Sequence, residues 1–273
     1  MTKTFAIIGD PIDHSLSPNI HNAAFNALGM DCTYIAYRIP RGELKEGVES
    51  LKQINISGFN VTIPHKIEMM KYLDESSEEC KLIGATNTVT NENGKLVGYN
   101  TDMSGFLEPI KKRNITIKNE DVLLLGAGGA ARAIIAGFAK ERARKITIAN
   151  RTKEKGQELA KFAASLGVGS DEASLEEAGK KAGEYRFIVN ATSVGLKNEP
   201  SPISTDAINS QSIVYDIIYM PMNTDLIAQS KKKSATIIYG YEMLLWQACF
   251  AFEIWHKIKA PYDAMRKVLL GGF

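Results

Sequence analysis

Asp121-Val-Leu-Leu-Leu-Gly-Ala-Gly-Gly-Ala-Ala-Arg132 is the stretch whose reading decides the fold. Residues 122–125 form a short, unbroken apolar run, long enough for a strand buried on both faces. Gly126, Gly128 and Ala131 follow at the spacing G-x-G-x-x-A, and residues 130–140 read as a helix. Strand, glycine turn and helix in that order are the context a dinucleotide-binding turn needs. Gly126 permits the tight turn, Gly128 lets the backbone approach a pyrophosphate, and Ala131 is small enough for helix to pack closely on strand. The helix N-terminus adds free N–H groups and a partial positive charge for the phosphates.

Outward from that turn, elements alternate. Strands are expected at 145–149, 187–190, 213–217 and 236–238, and helices at 155–166 and 226–231. This is the pattern of a doubly wound parallel sheet, a Rossmann domain. Upstream, 5–8, 33–38 and 58–63 read as strands, with helices at 19–28 and 42–54. Short helices are expected near 67–73 and 76–83. Asn91-Glu-Asn-Gly94, between 86–91 and 95–99, signals a hairpin and hence an antiparallel edge. Residues 102–113 form a connecting helix, 240–257 a long apolar helix and 261–270 a final one. Residues 165–183 are assigned no element. The fold class is thus α/β, with an N-terminal α/β domain followed by a nucleotide domain.

The 273-residue chain is 44% hydrophobic and 23% charged, the composition of a globular protein with a sizeable core. Its 33 basic and 31 acidic residues nearly balance, which gives no reason to expect a nucleic acid or an anionic membrane as partner. Cys32, Cys80 and Cys249 are odd in number and far apart, so neither a disulfide framework nor a metal site is expected, and Cys249 reads as a small core residue. His14, His21, His65 and His256 form no ligand pattern. No apolar span of about 20 residues occurs, nor a leader's apolar core, so a cytoplasmic protein is expected.

In dinucleotide folds an acid about 20 residues past the glycines accepts bonds from the adenosine ribose and favours NAD. Here the second strand ends in Asn150-Arg151-Thr152, with Lys153 and Lys155 close behind and Glu154 embedded in the basic run. Arg151 suits a 2′-phosphate, Lys155 can add charge, and Thr152 can cap the next helix. The expected cofactor is NADP. Asn190-Ala-Thr-Ser-Val-Gly195, after the next strand, offers small hydroxyl and glycine residues where a ligand crevice forms.

Three further strand ends carry chemistry. Gly9-Asp-Pro-Ile-Asp-His-Ser-Leu-Ser-Pro18 holds Ser15 and Ser17, spaced to face one ligand, although Ser17 serves equally as a helix cap. Asn60-Val-Thr-Ile-Pro-His-Lys66 ends in a lysine that could be a surface charge. Gly98-Tyr-Asn-Thr-Asp102 ends in a carboxylate that could simply cap a helix. Together they are more specific than any one alone. A Lys/Asp pair beside a nicotinamide has a defined chemical role. Hydride leaving an alcohol carbon requires loss of the hydroxyl proton, and the reverse step requires its return.

These runs, taken together, resemble the shikimate dehydrogenase family: 9–18 (GDPIDHSLSP), 60–66 (NVTIPHK), 84–89 (GATNTV), 98–102 (GYNTD), 126–131 (GAGGAA), 150–152 (NRT), 190–196 (NATSVGL), 216–221 (DIIYMP) and 240–248 (GYEMLLWQA). The resemblance implies NADP-dependent reduction of 3-dehydroshikimate to shikimate, a step towards chorismate and the aromatic amino acids. It implies a catalytic pair at Lys66 and Asp102, and substrate contacts at Ser15, Ser17, Thr62, Asn87, Tyr219 and Gln247. Nucleotide contacts are implied at Gly126, Ala127, Gly128, Gly129 and Ala130, at Asn150, Arg151, Thr152, Lys153, Glu154 and Lys155, and at Ile217 and Gly240. It further implies that residues from 240 fold back on the first domain and close a cleft. The domains are then 1–102 plus 240–273 for substrate and 103–239 for NADP, in a monomer or homodimer with a small-molecule substrate and no resident metal. Ile217 departs from the methionine common in relatives. The rival readings are a quinate/shikimate dehydrogenase, against which Asn150-Arg151-Thr152 argues, a nucleotide-binding sensor, which has no need of a Lys/Asp pair, and a folate-type dehydrogenase, which the 9–18 and 98–102 runs do not support.

Overall fold

The computed structural model describes residues 2–271, which build two six-stranded sheets. The first half runs β1 (Lys3–Gly9), α1 (Ser17–Ala27), β2 (Cys32–Arg38), α2 (Leu44–Gln53), β3 (Gly58–Val61), a 3-10 turn (Glu68–Tyr72), β4 (Glu75–Ser76), α3 (Glu78–Ile83), β5 (Thr88–Glu92) and β6 (Lys95–Tyr99). The second half runs α4 (Asp102–Lys112), β7 (Asp121–Leu125), α5 (Gly129–Lys140), β8 (Lys145–Ala149), α6 (Lys153–Ser165), β9 (Gly169–Ala173), α7 (Leu175–Lys180), β10 (Phe187–Asn190), β11 (Ile213–Asp216), α8 (Asp225–Lys232) and β12 (Thr236–Tyr239). Helices α9 (Gly240–His256) and α10 (Tyr262–Gly271) follow.

The first sheet has the order β2-β1-β3-β5-β6-β4. Strands β1, β2 and β3 are parallel, and β5 runs antiparallel to both β3 and β6. The C-terminal ends of β1, β3 and β6 therefore share one sheet edge with the start of β5. The β5–β6 hairpin turns on Asn93 and Gly94, both at positive φ (56° and 94°), as a two-residue turn between twisted strands demands. Helix α2 buries Leu44, Val48 and Leu51 on this sheet, the one-sided stripe its spacing predicts.

The second sheet is wholly parallel, in the order β12-β11-β10-β7-β8-β9. This is the doubly wound order, and the direction of winding switches between β7 and β10. Val122, Leu123, Leu124 and Leu125 are fully buried, as a central strand covered by helices on both faces requires. The stretch assigned no element contains β9 and α7. β9 is a half-exposed edge strand of sequence Gly-Ser-Asp-Glu-Ala, held through its backbone pairing with β8, so no apolar alternation announces it. α7 does have a sequence signature: Ser174 and Glu177 form a reciprocal capping box.

The chain divides into two compact units, one of the residues up to Gly105 with those from Leu245 onward, the other Phe106–Leu244. The divisions fall inside α4 and α9. Within the first unit, Trp255 of α9 donates from its indole to the Val89 carbonyl (3.0 Å) and packs on Phe5, Tyr34 and His21. In the second unit, Phe106 stacks on Tyr215 and meets Phe138 edge-on.

Candidate active site

The strand register of the first sheet gathers polar residues from distant parts of the chain. The Val61 N–H donates to the Asn87 carbonyl, Asn87 N–H to Tyr99, and Thr62 N–H to Ile8. The loops after β1, β3 and β6 and the entry to β5 thus stand side by side. There the Lys66 ammonium donates to Asp102 Oδ2 at 2.5 Å, with both side chains largely removed from solvent (14% and 6% exposed). Asn87 Nδ2 donates to Asp102 Oδ1 (2.8 Å) and to Thr101 Oγ1 (2.9 Å), and Gln247 Oε1 lies 3.5 Å from the same nitrogen. Four residues singled out in the sequence, Lys66, Asn87, Asp102 and Gln247, are therefore one connected group. Asp102 is no simple helix cap, since both its oxygens are taken by the side chains of other segments.

Ser15 and Thr62 on the adjoining loops, and Ser17 at the start of α1, make no bond to this group among the described residues. Ser15 Oγ accepts from the Ser17 N–H (3.3 Å), and Leu16, not Ser17, occupies the cap position of α1. Ser17 is buried. Thr62 lies against Gly9, where a Cβ would meet its methyl at 2.4 Å. Tyr219 belongs to the second unit, on the loop after β11, where burial pushes its phenol pKa up.

A second layer escaped sequence reasoning. The Tyr34 hydroxyl donates to Asn60 Oδ1 (2.6 Å), and Asn60 Nδ2 donates to the Asn87 carbonyl and to Thr88 Oγ1 (3.0 Å each). Thr88 Oγ1 in turn donates to Asn87 Oδ1 (3.0 Å). Asn60, Thr88 and Thr101 lie inside the quoted runs, whereas Tyr34 lies outside them. His65 is structural, fully buried with Nε2 2.6 Å from the Ile39 carbonyl.

The second unit holds the residues expected to meet the nucleotide. Gly126 follows β7 at φ +100°, and a Cβ there would meet Thr192 Cγ2 at 2.7 Å and the Ala191 carbonyl at 3.0 Å. Glycine is therefore required by both conformation and space. Gly128, the N-cap of α5, has nothing nearer than 3.9 Å at its Cβ position, and no side chain caps this helix. The first-turn N–H groups beside Gly129 and Ala130 are thus left to an incoming anion, and Gly128 leaves the space for it. After β8, Asn150 Nδ2 donates to the Thr152 carbonyl (2.8 Å). Arg151, Thr152, Lys153, Glu154 and Lys155 are exposed, and neither Arg151 nor the two lysines has an ion-pair partner among the described residues. Thr152 occupies the N-cap of α6, but its hydroxyl makes no capping bond, so the expected side-chain cap is absent. Ile217 and Gly240 meet directly: a Cβ on Gly240 would fall 2.4 Å from the Ile217 carbonyl oxygen. Beneath this loop, buried Asp216 accepts from Thr224 Oγ1 (2.7 Å), the Ile218 N–H (3.0 Å) and Asn190 Nδ2 (3.0 Å). Burial nevertheless raises its carboxyl pKa. These residues fit a dinucleotide with a 2′-phosphate.

Comparison with known proteins agrees in order and extent. Residues 7–89 match the shikimate dehydrogenase substrate binding domain, 109–204 the shikimate/quinate 5-dehydrogenase model, and 240–270 the shikimate 5'-dehydrogenase C-terminal domain. Shikimate dehydrogenase (NADP(+)) of Nitrosopumilus maritimus is 65% identical over 273 residues, covering 100% of both chains. A crystal structure of shikimate dehydrogenase in complex with NADP+ is 38% identical with a TM-score of 0.91, over 99% of this chain and 96% of that one. Shikimate 5-dehydrogenase from Thermus thermophilus, solved with NADP(H) and shikimate, is 33% identical with a TM-score of 0.89, over 99% of this chain and all of that one (100%). With a lysine–aspartate pair at one sheet edge, a glycine turn at the switch point of the other, and full-length relatives at these identities, the chain belongs to the shikimate dehydrogenase family.

Proposed function

We propose that this enzyme reduces 3-dehydroshikimate to shikimate, reversibly and with NADP, with Lys66 and Asp102 as its catalytic pair. The observation that carries the assignment of roles is the 2.5 Å contact between Lys66 Nζ and Asp102 Oδ2, with the Asn87 amide on the other carboxylate oxygen. Bound NADPH supplies the hydride in reduction, and NADP+ receives it in oxidation. Lys66 Nζ, with one N–H on Asp102, has others to offer the substrate oxygen. Hydrogen bonding there draws charge from the carbonyl, and the proton that converts the developing alkoxide to a hydroxyl comes from the Lys66–Asp102 pair. Asn87 holds Asp102 from the far side. The hydroxyls and amides of Ser15, Ser17, Thr62, Asn87, Tyr219 and Gln247 match a carboxylated polyol in chemistry, and we assign them to it. Arg151 and Lys155 take the 2′-phosphate, and Asn150-Arg151-Thr152 lacks the acid that an NAD site uses. No helix among the described residues is long and apolar enough to cross a membrane. The reading places the enzyme in the cytoplasm, as a monomer or homodimer.

The test is a side-by-side assay of shikimate and quinate with NADP+ and with NAD+, repeated for Lys66→Ala and Asp102→Asn. Shikimate with NADP+ is expected to be the preferred pair. Each variant is expected to lose a factor of about 10² to 10⁴ in kcat, the usual weight of proton-transfer catalysis, with NADP+ binding little changed. A Lys66→Ala enzyme of wild-type kcat would refute the assigned roles.

A further inference from the structure

Gly105 stands inside α4, one turn beyond Asp102 and so on the same helix face. Glycine in a helix interior costs about 0.5–1 kcal/mol relative to alanine, so a buried one asks for a reason. The reason lies across the helix crossing. A Cβ on Gly105 would stand 2.7 Å from the Cβ, 2.8 Å from the backbone nitrogen and 3.0 Å from the Cα of Gln247 in α9. Two of these three atoms are backbone, so no rotamer change relieves the clash. Carbon atoms in ordinary contact sit about 3.5–4.0 Å apart. An alanine at 105 therefore obliges α9 to retreat at Gln247 by roughly an ångström, taking that contact distance as the guide.

That retreat has a chemical consequence because Gln247 is at the limit of its reach. Its Oε1 lies 3.5 Å from Asn87 Nδ2, the same nitrogen that donates to Asp102 Oδ1. A further ångström takes the carboxamide out of hydrogen-bonding range of the group around Asp102. We infer that Gly105 is a positioning residue for substrate recognition: by admitting the α9 backbone into contact with α4, it sets how far the Gln247 carboxamide reaches toward a hydroxylated substrate held at Lys66 and Asp102. The inference rests on the reading of Gln247 as a substrate contact. Gly105 itself touches no substrate and takes no part in proton transfer.

The test is a set of four enzymes, wild type, Gly105→Ala, Gln247→Ala and the double variant, assayed for KM of shikimate, KM of NADP+ and kcat. One hydrogen bond to a neutral hydroxyl contributes about 0.5–1.5 kcal/mol, or roughly two- to tenfold in KM. Gly105→Ala is expected to raise the shikimate KM within that range while the NADP+ KM stays within about twofold of wild type. The double variant is expected to match Gln247→Ala, because the effect of residue 105 passes through residue 247. Gln247→Asn serves as a second probe. It shortens the side chain by one bond, about 1.5 Å, without touching the helix crossing, and is expected to reproduce the rise. Independent effects that multiply in the double variant, or a Gln247→Asn enzyme with the wild-type shikimate KM, would overturn the proposal. Loss of the Gln247 effect alone, with Lys66→Ala still inactive, would remove Gln247 from the substrate site and leave the catalytic pair standing.

Discussion

His21 is expected to make the stability of the first unit fall as pH drops below about 6.5. It is fully buried on α1, and neither ring nitrogen has a hydrogen-bond partner among the described residues. The ring stacks on Tyr34 with centroids 4.5 Å apart and packs against Trp255 and Phe25. Burial, with a smaller contribution from nearby His256, lowers its pKa to about 3. An unfolded histidine takes up its proton near 6.5. Below that pH the unfolded chain binds a proton that the folded chain refuses, so stability is fully present above pH 6.5 and is lost as pH falls towards 3. The loss approaches 1.36 kcal/mol per pH unit, so descending from pH 6.5 to 5 removes about 2 kcal/mol. That is a considerable part of the 5–15 kcal/mol typical of a folded protein. His256, lowered to about 4 by burial and by Lys3, acts in the same direction but is partly exposed and contributes less. The measurement is urea unfolding between pH 5 and 7.5, followed by tryptophan fluorescence. The two tryptophans, Trp246 and Trp255, both lie in the unit that contains His21. His21→Leu is expected to flatten the acid limb by up to about 2 kcal/mol, whatever its stability at pH 7.5. Parallel curves for wild type and variant would refute the reasoning.

Two further outcomes concern the second unit. Arg151→Ala should raise the KM for NADP+ roughly ten- to hundredfold, the weight of a charge-assisted hydrogen bond of about 1.5–3 kcal/mol, and leave the KM for NAD+ nearly unchanged; equal effects on both cofactors would exclude a 2′-phosphate role. Gly126→Ala places a Cβ at φ +100° against Thr192 and Ala191, a strain of about 1–3 kcal/mol, and should lower Tm, whereas Gly128→Ala meets nothing nearer than 3.9 Å and should weaken NADP+ binding while Tm stays put. Equal Tm losses in the two variants would contradict that division of labour.

Where local chemistry determines local structure, the residues could be read directly. Asn93-Gly94 has two positive-φ residues between apolar runs, and the hairpin follows. Gly126 needs its φ, and residues 122–125 before it are apolar without a break. What the chain hides are relations across it. β9 is held by backbone pairing at a sheet edge, so Gly-Ser-Asp-Glu-Ala has no reason to be apolar. His21 is covered by Tyr34 of the next strand and by Trp255 of α9, far along the chain. Gly105 looks like a weak helix residue until α9 arrives beside it.

The candidate site shows the same limit at atomic scale. Naming Lys66, Asn87 and Asp102 says nothing of which way the Asn87 amide points, and everything depends on that. The answer comes from Thr101, whose backbone N–H lies 2.8 Å from Asn87 Oδ1. A backbone N–H can only donate, so that atom must be the oxygen, and the other end of the amide, the NH₂, necessarily faces Asp102. Reversed, the amide would set two acceptors, its oxygen and Asp102 Oδ1, against each other with almost no water to separate them. Thr88 Oγ1, itself oriented by Asn60, makes the same choice from a second direction. The carboxylate is thus approached on Oδ1 by a donor that cannot turn and on Oδ2 by Lys66. Strand register brings the residues together, but a single backbone N–H decides that they attract.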